Sequence, residues 1–152
     1  MLNEEQKKFA GESLKYWKNV IWPLVNNDDK DWRMADFPWG IHKDPLCKAY
    51  FIYDRNVCGA GCPFVIRKMN CFSDNSPFDL IRLARGFGHN KAAFKKAVKH
   101  YMAYLRYYSD PKMETATIKS EYESWKKRLM DLVAEETKLD DDIRTRKQLK
   151  VH

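Results

Sequence analysis

The four cysteines of this chain lie within one stretch of 25 residues, CKAYFIYDRNVCGAGCPFVIRKMNC, which runs from Cys47 to Cys71. Ten residues separate Cys47 from Cys58, three separate Cys58 from Cys62, and eight separate Cys62 from Cys71. This clustering constrains the local fold, because the loops between the thiols must be short. It is more typical of a shared binding site than of cysteines scattered through a core.

Four thiolates are a common ligand set of tetrahedral structural zinc. In the segment CGAGCP, Gly59 and Gly61 allow the backbone to curl so that its amides face the sulfurs, and Pro63 fixes the exit of the chain. The charged N-terminus lacks the apolar region of a signal peptide, which predicts a cytoplasmic protein with reduced thiols rather than two disulfides. The pattern therefore predicts one structural Zn²⁺ with four ligands: Cys47, Cys58, Cys62 and Cys71.

Other uses of the cluster stay open. An iron–sulfur cluster also takes four thiolates, and four free cysteines can pack as small hydrophobic side chains. His42 and His89 are spare candidate ligands. A nucleophilic cysteine is disfavoured, because nothing distinguishes one thiol from its neighbours.

The segment LCKAYFIYDRNVCGAGCPFVIRKMNCFSDNSPF resembles the four-cysteine segment of small uncharacterised proteins of tailed bacteriophages and prophages. Cys47 matches the leading cysteine of that family, Cys71 the fourth, and Pro77 with Phe78 the closing Pro-aromatic pair. The knuckle CGAGCP (Cys58–Pro63) matches the family's Cys-x-Gly-Cys-Pro-like element with one extra residue. The resemblance implies a phage origin and a metal-organised core, and it brings no established activity and no catalytic residues.

Length and hydrophobic pattern predict a mainly α-helical single domain with a four-cysteine metal-knuckle insert and a C-terminal antiparallel helical hairpin. Asn3 and Gln6 form a capping pair for an N-terminal helix that ends soon after Pro23, so this helix is expected within residues 1–25. Residues 26–76 are predicted to form a loop and the knuckle, with Trp32, Phe37 and Trp39 tucked onto the core. The segment KAYFIY is compatible with either a strand or a helical turn. Residues 77–147 are predicted to be helical.

Two apolar patterns define the C-terminal helices. One is a stripe on a helix near residues 90–108, formed by Phe94, Val98, Tyr101, Leu105 and Tyr108. The second is a heptad seam after the break at Ser109–Pro111, interrupted at Glu136 and formed by Ile118, Tyr122, Trp125, Leu129, Leu132, Leu139 and Ile143. Heptads leave both a monomer and a dimer through this helix open.

The net charge is +7, and its basic excess lies after residue 45. No acidic residue occurs between Asp79 and Asp110, and helical steps place several lysines on one face. The predicted partner-binding residues are Arg82, Arg85, Lys91, Lys95, Lys99 and Arg106. A solvated face paired with Glu114, Glu121 or Glu123 is the alternative interpretation.

No nucleophile–base pair, phosphate-binding loop or classical zinc-finger spacing is present, which favours a protein that is not an enzyme. The sequence therefore predicts a non-enzymatic phage accessory protein in the host cytoplasm. It would bind a host protein or nucleoprotein complex and modulate host defence or nucleic-acid machinery, with no membrane role. The alternative is a zinc-stabilised DNA- or RNA-binding protein that acts through the basic helix.

Overall fold

The structure is a computed structural model that describes residues 2–86, 90–110 and 115–151. Over these ranges the chain is mainly α-helical, as predicted. Its helices are α1 Glu4–Tyr16, α2 Trp22–Val25, α3 Pro45–Tyr50, α4 Pro63–Ile66, α5 Pro77–Gly86, α6 Lys91–Ser109 and α7 Thr115–Val151. Strands β1 Phe51–Ile52 and β2 Val57–Cys58 form an antiparallel pair in which Phe51 lies opposite Cys58. No helix within the described ranges has the length and apolar character needed to cross a membrane.

The predicted capping pair at the N-terminus is confirmed. The backbone N–H of Gln6 donates to Asn3 Oδ1 and the backbone N–H of Asn3 donates to Gln6 Oε1, both at 2.8 Å. Each bond satisfies a backbone donor that the first helical turn leaves unpaired. The helix then passes through a π-helical turn, Trp17–Ile21, before α2. Pro23, which has no N–H to donate, follows this turn in the first turn of α2, and the helical run ends at Val25.

Helix α6 lies at the centre of the core and packs against α1 and α5. All five residues of its predicted apolar stripe are buried, and Phe94, Val98 and Leu105 have no exposed surface. The segment KAYFIY forms the end of α3 and then β1. It therefore contains both a helical turn and a strand, the two alternatives that its sequence left open. α5 is described as far as Gly86.

The loop between α2 and α3 is held by its aromatic side chains, as predicted. Trp32 stacks on Phe94 with ring centroids 5.1 Å apart, and Trp39 stacks on Trp17 at 5.8 Å. Phe37 is buried and stacks on Trp39. Aromatic rings bury a large apolar area, so these contacts fix the loop onto α6 and onto the π-helical turn after α1.

The first half of α7 packs against α5 and α6. Tyr122 contacts Tyr104 and Trp125 stacks on His100, so the ring pairs run in opposite chain order along the two helices. Four seam residues are buried in this half: Ile118, Tyr122, Trp125 and Leu129. Leu132 is half-buried, whereas Leu139 and Ile143 are exposed, so the seam packs within the chain only along its first part.

His100 is a titratable side chain buried between α6 and α7. Its Nε2 has no hydrogen-bond partner among the described residues. Burial lowers the pKa of His100 below its usual value near 6.5, Lys96 lowers it further, and Glu121 raises it. The unfolded chain therefore binds a proton at a higher pH than the folded chain. We expect the free energy of unfolding to fall as the pH drops below about 6.5.

Chemical denaturation at a series of pH values between neutrality and pH 5 measures this effect. His100→Phe keeps an aromatic ring beside Trp125 and removes the titrating group. The difference in unfolding free energy between the variant and the parent should grow in favour of the variant as the pH falls. A difference that does not change with pH would contradict the assignment.

Candidate metal centre and basic face

The four cysteines line one cavity of about 120 Å³. Cys47 lies in the middle of α3, Cys58 ends β2, Cys62 is the residue before α4, and Cys71 lies in the turn before α5. The walls of the cavity are mainly aromatic and include Trp17, Phe51, Phe64, Phe72, Phe78 and Tyr101. Thiols separated by up to 23 intervening residues therefore meet around one mostly apolar space.

The thiols are free and form no disulfide. Within the part of the chain that the structure describes, no group of three or more cysteine, histidine, aspartate or glutamate side chains stands in a metal-ligating arrangement. The sulfurs thus surround the cavity without converging on one point. A shared ion would therefore require the sulfurs to shift from their positions in this structure.

Burial raises the pKa of each thiol. The pKa of Cys62 rises to about 11, and those of Cys47 and Cys71 rise further. The pKa of Cys58 is also raised by burial. At neutral pH these groups are neutral thiols, so none is poised as a nucleophile. A bound cation would instead favour the thiolate form of the cysteines, since metal coordination deprotonates a thiol.

Hydrogen-bond donors at two of the sulfurs offset part of this rise in pKa. The backbone N–H groups of Phe64 and Val65, in the first turn of α4, bond to the Cys62 sulfur and lower its pKa. The hydroxyl of the fully buried Tyr101 bonds to Cys71 with the same effect. These amides belong to α4 and not to the glycine knuckle for which the sequence predicted them, and the role of Tyr101 was not predicted.

Asp44 links the cysteine-bearing helix α3 to the preceding helical segment, and the sequence did not predict this role. Its buried carboxylate accepts hydrogen bonds from Ser13 Oγ at 2.7 Å, from Trp17 Nε1 at 2.6 Å and from the backbone N–H of Leu46 at 2.9 Å. The last bond caps α3, and Pro45 takes the first helical position. Asp44 therefore joins α1 to the helix that carries Cys47. The Asp-Pro pair in the sequence indicates a helix start. Nothing in the sequence indicates that Ser13 and Trp17 are its hydrogen-bond partners.

The glycines of the knuckle are required for a reason other than the one predicted. Neither Gly59 nor Gly61 adopts a positive φ. Instead, a Cβ on Gly59 would collide with the backbone carbonyl oxygen of Tyr50, which accepts the Gly59 N–H at 2.8 Å. A Cβ on Gly61 would lie 3.0 Å from the Tyr50 ring. The close approach of two backbone segments excludes a side chain at Gly59.

Replacement of Gly59 by alanine should therefore lower the free energy of unfolding by about 1–3 kcal/mol, the usual cost of forcing extra atoms into a packed site. Thermal or denaturant unfolding measures the loss. Gly86→Ala is the matched control, because a Cβ there meets no atom within 4 Å. The control should show no loss, and equal behaviour of the two variants would refute the steric explanation.

The predicted basic face is partly used inside the molecule. Lys91 Nζ contacts Asp28 Oδ1 at 2.7 Å and donates to the backbone carbonyl of Asn27, and Lys95 Nζ lies 3.5 Å from the same Asp28 oxygen. A basic partner-binding face predicts exposed side chains at these two positions, whereas both lysines are only half-exposed. Their acidic partner comes from the loop after α2. Glu114, one of the partners suggested on α7, lies outside the described residues.

The other predicted residues are distributed over a wider area. Arg85 donates to the backbone carbonyls of Arg33 and Ala35 and lies over the Phe37 ring. Lys99 is exposed and lies over the Trp22 ring at 5.5 Å. Arg82 is exposed beside the cysteine cavity, 3.9 Å from an Asp79 oxygen, and Arg106 is exposed near the end of α6.

The spare histidine ligands do not extend the centre in the described structure. His42 is exposed and stacks on Tyr53, and His89 lies outside the described residues. Comparisons with protein-family models, with curated proteins and with solved structures found no match. The similarity to four-cysteine phage proteins therefore stays a prediction from the sequence.

Proposed function

We propose that this chain is a non-enzymatic phage accessory protein that acts by binding a host macromolecule, and that one structural Zn²⁺ holds its fold together. In this proposal Cys47, Cys58, Cys62 and Cys71 are the ligands, the knuckle is an insert in the helical domain, and α6 with α7 forms the closing antiparallel hairpin. The observation that carries the metal centre is the single cavity that all four thiols line. The phage setting rests on the sequence resemblance alone.

Zinc suits this site for chemical reasons. The four thiols have raised pKa values and no positive partner among the residues that line the cavity except Arg82, whose side chain is mostly exposed. A divalent ion would supply the missing charge, and zinc accepts four sulfurs without a redox reaction. The amides at Cys62 and the hydroxyl at Cys71 would stabilise the ligands as outer hydrogen-bond donors. The centre then has a structural role, because four protein ligands leave no open position for a substrate.

Metal analysis of protein purified without added metal tests the centre. We expect about one zinc per chain, as four thiolates from one chain complete one tetrahedral site. Detection of iron together with acid-labile sulfide would identify the centre as an iron–sulfur cluster instead of a zinc site. Protein that is well folded with four titratable thiols and no metal would refute the centre.

The proposed partner surface is the basic face of α5 and α6, formed by Arg82, Arg85, Lys91, Lys95, Lys99 and Arg106. Three of these side chains are the most open to a partner, namely Arg82, Lys99 and Arg106. Lys91, Lys95 and Arg85 would instead shape the surface by fixing the loop beneath it. Such a surface attracts an acidic protein or a nucleic acid, and charge alone does not separate the two.

Affinity capture from host lysate, with and without nuclease, separates the two partner classes. A specific protein retained after nuclease treatment supports the host-protein proposal. Capture that disappears with nuclease, together with a gel shift that weakens steeply with salt, would instead assign the nucleic-acid alternative.

The variants for this experiment must leave the fold intact. Lys99→Glu with Arg106→Glu reverses two charges that contact solvent, and it should abolish capture. Lys119→Glu reverses an exposed lysine on α7 and is the matched control. Lys91 and Lys95 are poor choices, since their reversal would repel Asp28. Capture that survives the double reversal would show that the basic face is not the contact surface.

A further inference from the structure

Two segments of the chain that contain no acidic residue pack side by side. Residues 13–27 and residues 80–109 contain neither Asp nor Glu. The first segment lies mostly in the N-terminal helical run, which is formed by α1, the π-helical turn and α2, and the second includes all of α6. Because α1 packs against α6, the border between the helical run and α6 has basic side chains without carboxylates of its own.

Two contacts show how the N-terminal helical run and α6 are aligned. At one end, a Cβ on Gly11 would lie 3.5 Å from the Cβ of Ser109. At the other end, Lys99 Nζ lies 5.5 Å from the centroid of the Trp22 ring. The two helical segments are therefore antiparallel, and they border one another between these two contacts.

Four basic side chains lie along this border. Lys15 and Lys18 follow Gly11 at spacings of four and three residues, which places them on the side of the helix that borders α6. Lys99 and Arg106 are two turns apart and share one side of α6. All four are exposed, and they form a two-helix basic surface: Lys15, Lys18, Lys99 and Arg106. The fold thus adds two lysines that the sequence analysis did not select to two residues that it did.

The charges of the two-helix basic surface are not neutralised by neighbouring side chains. Within the ranges that the structure describes, none of its four residues forms an ion pair. The nearest carboxylates along the two segments come from Glu12, Asp28 and Asp110, and Asp28 is already paired with Lys91 and Lys95. A polyanion would supply the opposite charge.

The composition of this surface favours phosphate over an acidic protein. Protein interfaces have an apolar centre in which lysine is depleted, whereas Met102 and Trp22 beside the four cations are both half-buried. The Trp22 ring also has Lys99 over it, so it is not free to stack on an unpaired base as single-strand binders require. Lysine and arginine contacts to the phosphates of a duplex need neither an apolar centre nor a free ring.

We propose that the two-helix basic surface binds the phosphate backbone of duplex DNA. This inference deepens the proposed function, on which it rests, because it names the partner of the basic face and adds Lys15 and Lys18 to that face. Each cation that contacts a phosphate releases a counterion, so binding is independent of base sequence and weakens with salt. Four contacts predict a slope of about −3 to −4 when log K is plotted against log salt concentration.

Fluorescence anisotropy of a labelled DNA duplex of arbitrary sequence, measured over a series of salt concentrations with the full chain, tests the surface. Lys15→Gln with Lys18→Gln should weaken binding more than about tenfold at 0.1 M salt and make the slope shallower by about two. Lys99→Gln with Arg106→Gln should have the same effect. All four side chains are exposed, so far-ultraviolet circular dichroism should show the helical content of the parent in both variants.

The matched control is Lys119→Gln with Lys127→Gln, which removes the same net charge from exposed positions of α7. It should leave both affinity and slope unchanged, and an equal loss in this control would show attraction by net charge alone and overturn the proposal. Loss in the α6 pair without loss in the α1 pair would overturn the two-helix surface. Tighter binding of the single strand than of the duplex would overturn the choice of partner. A chain that ignores duplex DNA but captures a nuclease-resistant host protein would overturn this inference and leave the proposed function standing.

Discussion

Replacing Cys71 with serine is expected to remove most of the stability of the metal-loaded protein. Structural zinc contributes about 10–16 kcal/mol to small zinc-binding domains, so loss of one of four ligands should cost roughly 5 kcal/mol or more. That loss is comparable with the entire stability of an ordinary domain. Serine preserves the size of the side chain but is a much weaker zinc ligand at neutral pH. Denaturant unfolding, read by far-ultraviolet circular dichroism, measures the loss.

The matched experiment is chelation. If a metal ion links the four thiols, a strong chelator should lower the stability of the parent protein to that of Cys71→Ser, while the variant itself should hardly respond. If the four cysteines are only packed side chains, the substitution should cost about 1–3 kcal/mol, as for other buried hydrogen-bond or packing changes. The chelator should then have no effect on either protein. This second pattern would exclude the metal centre.

Asp44→Ala should produce the other large effect. The substitution leaves three donors without their acceptor: the Ser13 hydroxyl, the Trp17 indole N–H and the backbone N–H of Leu46. Each buried unsatisfied donor costs roughly 1–3 kcal/mol, so three together should cost at least about 3 kcal/mol. Because Asp44 caps the helix that carries Cys47, the loss should be accompanied by weaker zinc retention against a competing chelator.

Two further variants separate the hydrogen-bonding role of Asp44 from a non-specific loss of stability. Asp44→Asn retains one carbonyl oxygen as an acceptor and replaces the other oxygen with an NH₂ group, so it should lose less stability than alanine. Asp36→Ala removes an exposed carboxylate from the same loop and should change stability little. An Asp44→Ala protein as stable as Asp36→Ala would show that the three hydrogen bonds do not support the fold.

Local sequence determined the features that depend on neighbouring residues. The Asn3–Gln6 capping box is confirmed because its two bonds span only three residues. The apolar stripe of α6 is confirmed because a helix repeats every 3.6 residues, and a stripe at that spacing has one face to bury. The aromatic residues of the loop after α2 are confirmed as core contacts because large rings seldom remain exposed when a core is near. The short spacing of the four cysteines along the chain also indicates that they lie close together in the fold.

Tertiary structure decided everything that depends on distant partners. The Asp-Pro pair at residues 44–45 indicates a helix start, but only the fold brings Ser13 and Trp17 to that carboxylate. Spacing along α6 indicates a basic face, but only the position of the loop gives Lys91 and Lys95 a shared acidic partner. The exclusion of a side chain at Gly59 arises from the Tyr50 carbonyl on a neighbouring segment, and not from the dihedral angles of the glycine. The heptad seam of α7 is one continuous pattern in the sequence, yet it is buried to Leu129 and open at Leu139. In each case the local sequence indicates the type of element or the character of its face, whereas the partner is fixed by how separate segments of the chain pack against one another.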